Sequence, residues 1–164
     1  MLWACLLLPS LSLDVFARAA APDDAPHPFV VASGGHYPRV VAANASARAA
    51  GIRCDQLISA ALAFAPDVVL RDRDPSAEAA SLAEVATLLL AFTPQVSIAL
   101  PNAVLAEIEG SVRLFGGLTS LLGRLAQCVH RRTLPVVGLG DVFELNHRHL
   151  RRRLGRRGQW SRER

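Results

Sequence analysis

The stretch MLWACLLLPSLSLDV (residues 1–15) decides how the rest of the chain is read. Its apolar run can be an export signal, a buried strand, or a strand that carries a metal-binding acid. No Lys or Arg precedes the run, and Pro9 interrupts it, which argues against export despite the alanine-rich stretch at 17–21. The run is also far short of the ~20 residues that cross a bilayer. The first carboxylate, Asp14, falls only after the run has ended. Residues 2–8 therefore read as a strand apolar on both faces, of the kind found in the middle of a covered sheet.

The chain has 164 residues, 51% of them hydrophobic, which is enough to bury a core without disulfides or metal. The formal charge of +4 conceals an asymmetry. Ten arginines face three acids after residue 128, a net of +7, whereas eight arginines face eleven acids before it. The basic character belongs to the tail, residues 129–164, which reads as irregular or loosely helical. Such a tail suits nucleic acid as a partner. Cys5, Cys54 and Cys128 form no CxxC pair and read as buried small apolar residues in a reducing, cytoplasmic compartment. His27, His36, His130, His147 and His149 have no partner at ligand spacing, and no P-loop, GxGxxG, GxSxG or HExxH occurs.

Outward from the first strand, the pattern predicts alternating elements. Ser10 caps a helix over 11–20 with Leu11, Val15 and Ala19 inward. FVVA (29–32) and VVAA (40–43) read as strands. Asn44 caps an alanine-rich helix that Gly51 stops. Asp55 is placed to cap a helix over 56–65, with Leu57, Ala61 and Phe64 near one face, and residues 68–70 to form a strand. Asp74-Pro75 starts a long helix over 75–92 that buries Leu82, Val85, Ala86 and Leu89. Residues 95–109 alternate through two strands about a turn at Pro101-Asn102, with Val96, Ile98, Leu100, Val104, Ala106 and Ile108 on one parity. Gly116-Gly117 then turns into a helix over 118–129, and 134–140 could pass for a strand and turn. The class is α/β (α+β).

Two groups of residues invite a chemical reading. A strand leading into the Asn44 helix, with Arg48 one turn inside, suits an anion such as phosphate, although a solvated Arg48 on a small helix is the simpler account. Glu107 and Glu109, on one face of a strand, could bind a metal or move a proton, or could merely be solvated. From the residues alone there is no independent sign of catalysis.

Taken together, these blocks resemble the N-terminal half of the Y-family (UmuC-type) translesion DNA polymerases, and specifically their ImuB-like branch. The resemblance rests on Leu2-Trp3, FVVASGGHYPRVVAANASARAAGI (29–52), APDVVLRDRDP (65–75) and AFTPQVSIALPNAVLAEIEGSVRLFGG (91–117). It covers residues 1–128 and implies a truncated ferredoxin-like palm with a small inserted fingers segment at 33–75, followed by the Arg-rich tail. In active members, carboxylates on the first strand and on the palm hairpin hold two Mg²⁺ ions. The resemblance places Leu7, followed by Leu8 and Pro9, at the first of these positions and Pro101 and Asn102 at the second. It assigns Asn44 and Arg48 as vestigial triphosphate contacts, with Ala45 where a tyrosine would stand.

The implied function is non-catalytic: an accessory in DNA repair and in damage-induced (SOS) mutagenic translesion synthesis, without metal, cofactor or membrane. The implied partners are a recombinase-like accessory protein, an error-prone replicative-type polymerase and the sliding clamp, with DNA as a further possibility. A truncated or frame-shifted product accounts for the tail in this reading. The alternatives are a small basic protein that binds nucleic acid through the tail, and a residual polymerase using Glu107 or Glu109 with Asp14.

Overall fold

The computed structural model describes residues 2–17, 27–133 and 143–145. The strand-and-turn reading of 134–140, the end of the first helix and most of the basic tail lie outside these residues. Contacts divide the chain into two units, one made of Met1–Pro9 and Leu82–Arg164, the other of Ser10–Ser81. The second is wider than the 33–75 insertion expected from the sequence.

The first unit is built on a four-stranded sheet. Its strands are β1 (Trp3–Leu7), β5 (Val96–Ala99), β6 (Ala103–Glu107) and β7 (Phe143–Leu145), in the order β5-β6-β1-β7. β1 is central, as its two apolar faces require, and pairs antiparallel with β6 and β7. Ala4, Leu6, Val104 and Ala106 share one face and are fully or almost fully buried. Cys5, Ala99 and Ala103 form a cluster on the other, with Leu7 and Leu105 packed against it. Leu121, Leu125 and Val129 of helix α5 (Leu118–Thr133) complete the apolar interior together with Leu82, Val85 and Leu89 of α4 (Pro75–Leu89). β7 lies in a stretch the sequence pattern assigns to an irregular tail. Its partner is β1, more than a hundred residues away, and no local periodicity announces so short a strand.

The second unit carries a three-stranded sheet, β3 (Val40–Ala43), β2 (Phe29–Ala32) and β4 (Val69–Asp72), with β2 antiparallel to β3 and parallel to β4. Its helices are α1 (Leu11–Ala17), α2 (Ala45–Ala49) and α3 (Ile58–Phe64). Val30, Ala32, Val40, Ala43, Ala47, Ile52, Ile58 and Ala61 pack into one cluster.

Three helix readings need correction. α3 begins at Ile58, and its N-cap is Leu57, without a side-chain bond. Asp55 cannot cap it, because the Asp55 N–H donates to the Val40 carbonyl and Val40 N–H donates to that of Gln56, holding this segment against β3. Asp55 sits at φ 65°, in the left-handed region. Ile58 and Ala61 are the buried residues of α3, and Phe64 is 58% exposed. In α1 the buried positions include Leu11 and Asp14, with Val15 only half-buried. α4 ends at Leu89, three residues before the expected stop, where Ala91 and Phe92 form turn bonds to Leu88 and Leu89.

The expected cap at Asn44 is present and does more than close a helix. Its Oδ1 accepts from Ala47 N–H at 2.8 Å and from Phe29 N–H at 3.0 Å, while its Nδ2 donates to the His27 carbonyl at 2.8 Å. One side chain thus ties α2 to the start of β2. Asn44→Ala should cost about 2 kcal/mol, a lost cap plus an unpaired Phe29 N–H. Arg48→Ala on the same helix should stay within about 0.5 kcal/mol. Urea unfolding of the two variants checks the contrast.

Candidate functional site

The positions that the resemblance matches to the metal ligands of active members, Leu7 and Pro101-Asn102, come together. Leu7 pairs with Ala103, so the end of β1 lies beside the β5–β6 turn. Leu8 N–H donates to the Asn102 carbonyl at 2.8 Å, and Asn102 Nδ2 donates back to the Leu8 carbonyl at 3.3 Å. Asn102 is therefore engaged with backbone. Leu7 lies in the apolar cluster of Cys5, Ala99, Ala103 and Leu105, where burial pushes the Cys5 thiol up and keeps it protonated. Mg²⁺ demands hard oxygen ligands, commonly carboxylates. Leu7, Leu8, Pro9, Pro101 and Asn102 supply no carboxylate, so the residues at this end of the sheet do not fit the metal. Among the described residues, no group of three or more His, Cys, Asp or Glu side chains could hold one.

The glutamates are placed differently from the sequence expectation. β6 ends at Glu107, opposite Trp3, and Glu109 opens a 3₁₀ turn (Glu109–Ser111), so the strand alternation that would align them stops between the two. Glu107 Oε1 accepts from the Glu109 N–H at 3.1 Å, a local tie. Asp14, proposed to work with them, belongs to the other unit. Asn44 is consumed by its three backbone bonds, and Arg48 is exposed on a helix of five residues. Of the three cysteines, Cys5 is buried, Cys128 is half-buried and Cys54 is exposed, so the buried-apolar reading fails for Cys54.

Sequence reasoning misses a buried ionic group. Glu78, 4% exposed, receives Arg73 Nε on both oxygens, at 2.9 and 3.1 Å, and Nη2 at 2.7 Å. Ser12 Oγ adds a bond of 2.7 Å to its Oε1. The Arg73 hydrogen bonds, more than those of Ser12, hold the Glu78 carboxyl below its ordinary value. Glu78 sits four residues N-terminal to Leu82 on the buried stripe of α4, and that spacing is the signal that could have found it. Beside it, Asp74 Oδ1 accepts from the N–H groups of Ser76 and Ala77, each at 3.0 Å, the cap expected from Asp74-Pro75.

The sheet of the first unit, with its β5–β6 hairpin beside the end of a central strand, defines a polymerase-like domain. The model of the impB/mucB/samB family matches residues 14–142, and the chain belongs to that family. Among curated relatives, it is 35% identical to Protein ImuB of Caulobacter vibrioides (strain NA1000 / CB15N) over 81 residues, which is 47% of this chain and 18% of the relative. Among solved structures it is similar to DinB from Sulfolobus solfataricus, with a TM-score of 0.67 and 17% identity over 82% of this chain and 40% of that one. An insertion ternary complex of Dbh DNA polymerase gives a TM-score of 0.65 and 17% identity, over 80% of this chain and 40% of that one. The fold is that of Y-family polymerases, and the chain spans less than half the length of these relatives. Among the described residues, no helix is long and apolar enough to cross a membrane.

The buried Glu78 carboxylate, paired with the more exposed Arg73, makes stability depend on pH. The Glu78 pKa is lowered on folding, so its contribution is fully present above the ordinary glutamate value of 4.5 and is lost as pH falls through the lower folded value. The urea midpoint should fall between pH 6 and pH 3, and it should fall less steeply in Glu78→Gln.

Proposed function

We propose that this chain is a non-catalytic polymerase-like domain, an accessory in DNA-damage tolerance and translesion synthesis. The observation that carries this reading is the apolar, self-bonded end of the central sheet. The resemblance puts Leu7 where active members hold an acid; Leu7 packs against an apolar cluster, and the Asn102 Nδ2 donates to the Leu8 carbonyl. Phosphoryl transfer needs charge neutralisation and alignment at that point, and neither leucine nor a neutral amide supplies the negative charge that holds the cations. The partners in this reading are the other proteins of a damage-induced mutagenesis assembly: a recombinase-like accessory, an error-prone replicative-type polymerase and the sliding clamp. Primer extension with Mg²⁺ or Mn²⁺ should give no product above background. Incorporation that disappears in Glu107→Ala would instead restore the polymerase.

The charge of the tail favours a second, compatible property. Eight arginines and one acid lie among residues 146–164. Duplex DNA bound through this segment should lose affinity steeply with salt, with a logarithmic slope of about −0.9 for each phosphate contact. Removing residues 146–164, which leaves β7 in place, should flatten that slope; an unchanged slope would rule the tail out.

A further inference from the structure

Glu78 gathers three parts of the second unit onto one buried carboxylate. Ser12, on α1, reaches its Oε1 at 2.7 Å across a separation of 66 residues. Arg73, just past β4, gives Nε to both oxygens and Nη2 to Oε2. The Arg73 N–H donates to the Ala32 carbonyl at 2.9 Å, which fixes Arg73 beside the end of β2. Glu78 itself lies near the start of α4, behind the Asp74 cap. Helix α1, the β2–β4 pair and helix α4 therefore meet at one group.

The place of these residues along the chain gives the group its meaning. The second unit is the unbroken stretch Ser10–Ser81, so Ser12 lies just inside its entry and Glu78 just inside its exit. Between them the unit has its own sheet, β3-β2-β4, and an apolar cluster drawn wholly from its own residues, Val30 to Ala65. Phe16 of α1 also meets Phe29 of β2, with ring centroids 6.0 Å apart. The first unit has a sheet and an apolar cluster of its own, around Cys5, Ala99 and Ala103. Segments with separate cores open as separate cooperative units, each at its own free energy.

We propose that Ser12, Arg73 and Glu78 form a clasp that closes the second unit at its two chain exits, and that this unit opens as one body while the four-stranded sheet of the first stays folded. Removing Ser12 or Arg73 leaves the Glu78 carboxylate short of a partner in an interior that penalises it, so the clasp is made or broken as a whole. The boundary between the units falls inside α4. The start of that helix, with Glu78, opens with the second unit, and Leu82, Val85 and Leu89 stay with the first.

Hydrogen exchange of the full chain, followed amide by amide by NMR in low urea, tests the clasp. Amides of β2, β3, α2 and α3 should share one opening, with a urea dependence distinct from that of β1, β6 and α5. Ser12→Ala should speed exchange of the first group about tenfold, the effect of a lost bond to a buried charge, and move the second by less than about twofold. Arg73→Ala should act on the same amides more strongly. Ser111→Ala, which unties the Phe92 carbonyl within the first unit, should leave exchange in the second unchanged. A single opening common to both groups overturns the proposal, as does a Ser12→Ala variant that speeds both alike. Acceleration confined to α1 and the start of α4 also overturns it, because the contact would then hold only its own residues.

Discussion

The larger sheet depends on β1 being enclosed on every side. Strands β6 and β7 take its two edges, and apolar side chains line both of its faces. Such a strand tolerates a charge only where something repays the desolvation, which runs to several kcal/mol for an ion left without a partner. In a metal-dependent polymerase, the cations would repay it. Leucine at position 7 brings no such charge and packs against Cys5, Ala99, Ala103 and Leu105. The centre of the sheet is stable on apolar packing and its own backbone bonds alone.

The same enclosure explains which parts of the fold are legible in the sequence. β1, the Asn44 and Asp74 caps and the hairpin about Pro101-Asn102 are written in local patterns, and the structure reproduces them. What fails is non-local. Asp55 has the chemistry of a cap, but pairing with Val40 claims the backbone around it. Ile98 carries the inward parity of its strand, yet parity does not reveal that the strand lies at an edge of the described sheet, and Leu100 falls in the turn rather than in the strand. Glu78 is not singled out by the sequence, because its partners, Ser12 and Arg73, are brought to it only by folding. β7 is three residues long and gains its meaning from β1. In the candidate site, the composition of the end of the sheet is legible from Leu7 and Asn102. The commitment of the Asn102 amide to Leu8 is not.

Both asparagines singled out for chemistry turn out to hold backbone. Asn44 fastens α2 to β2, and Asn102 fastens the hairpin to the end of β1. The Asn44 amide donates and accepts at once, whereas the Asn102 amide donates and its own backbone carbonyl accepts. A carboxylate can only accept, so an aspartate at position 102 would forfeit the bond to the Leu8 carbonyl and set a charge beside an apolar cluster. An accessory role asks of the fold only that its scaffold persist and its surfaces stay in place. A corner held by an amide and by backbone bonds meets that demand.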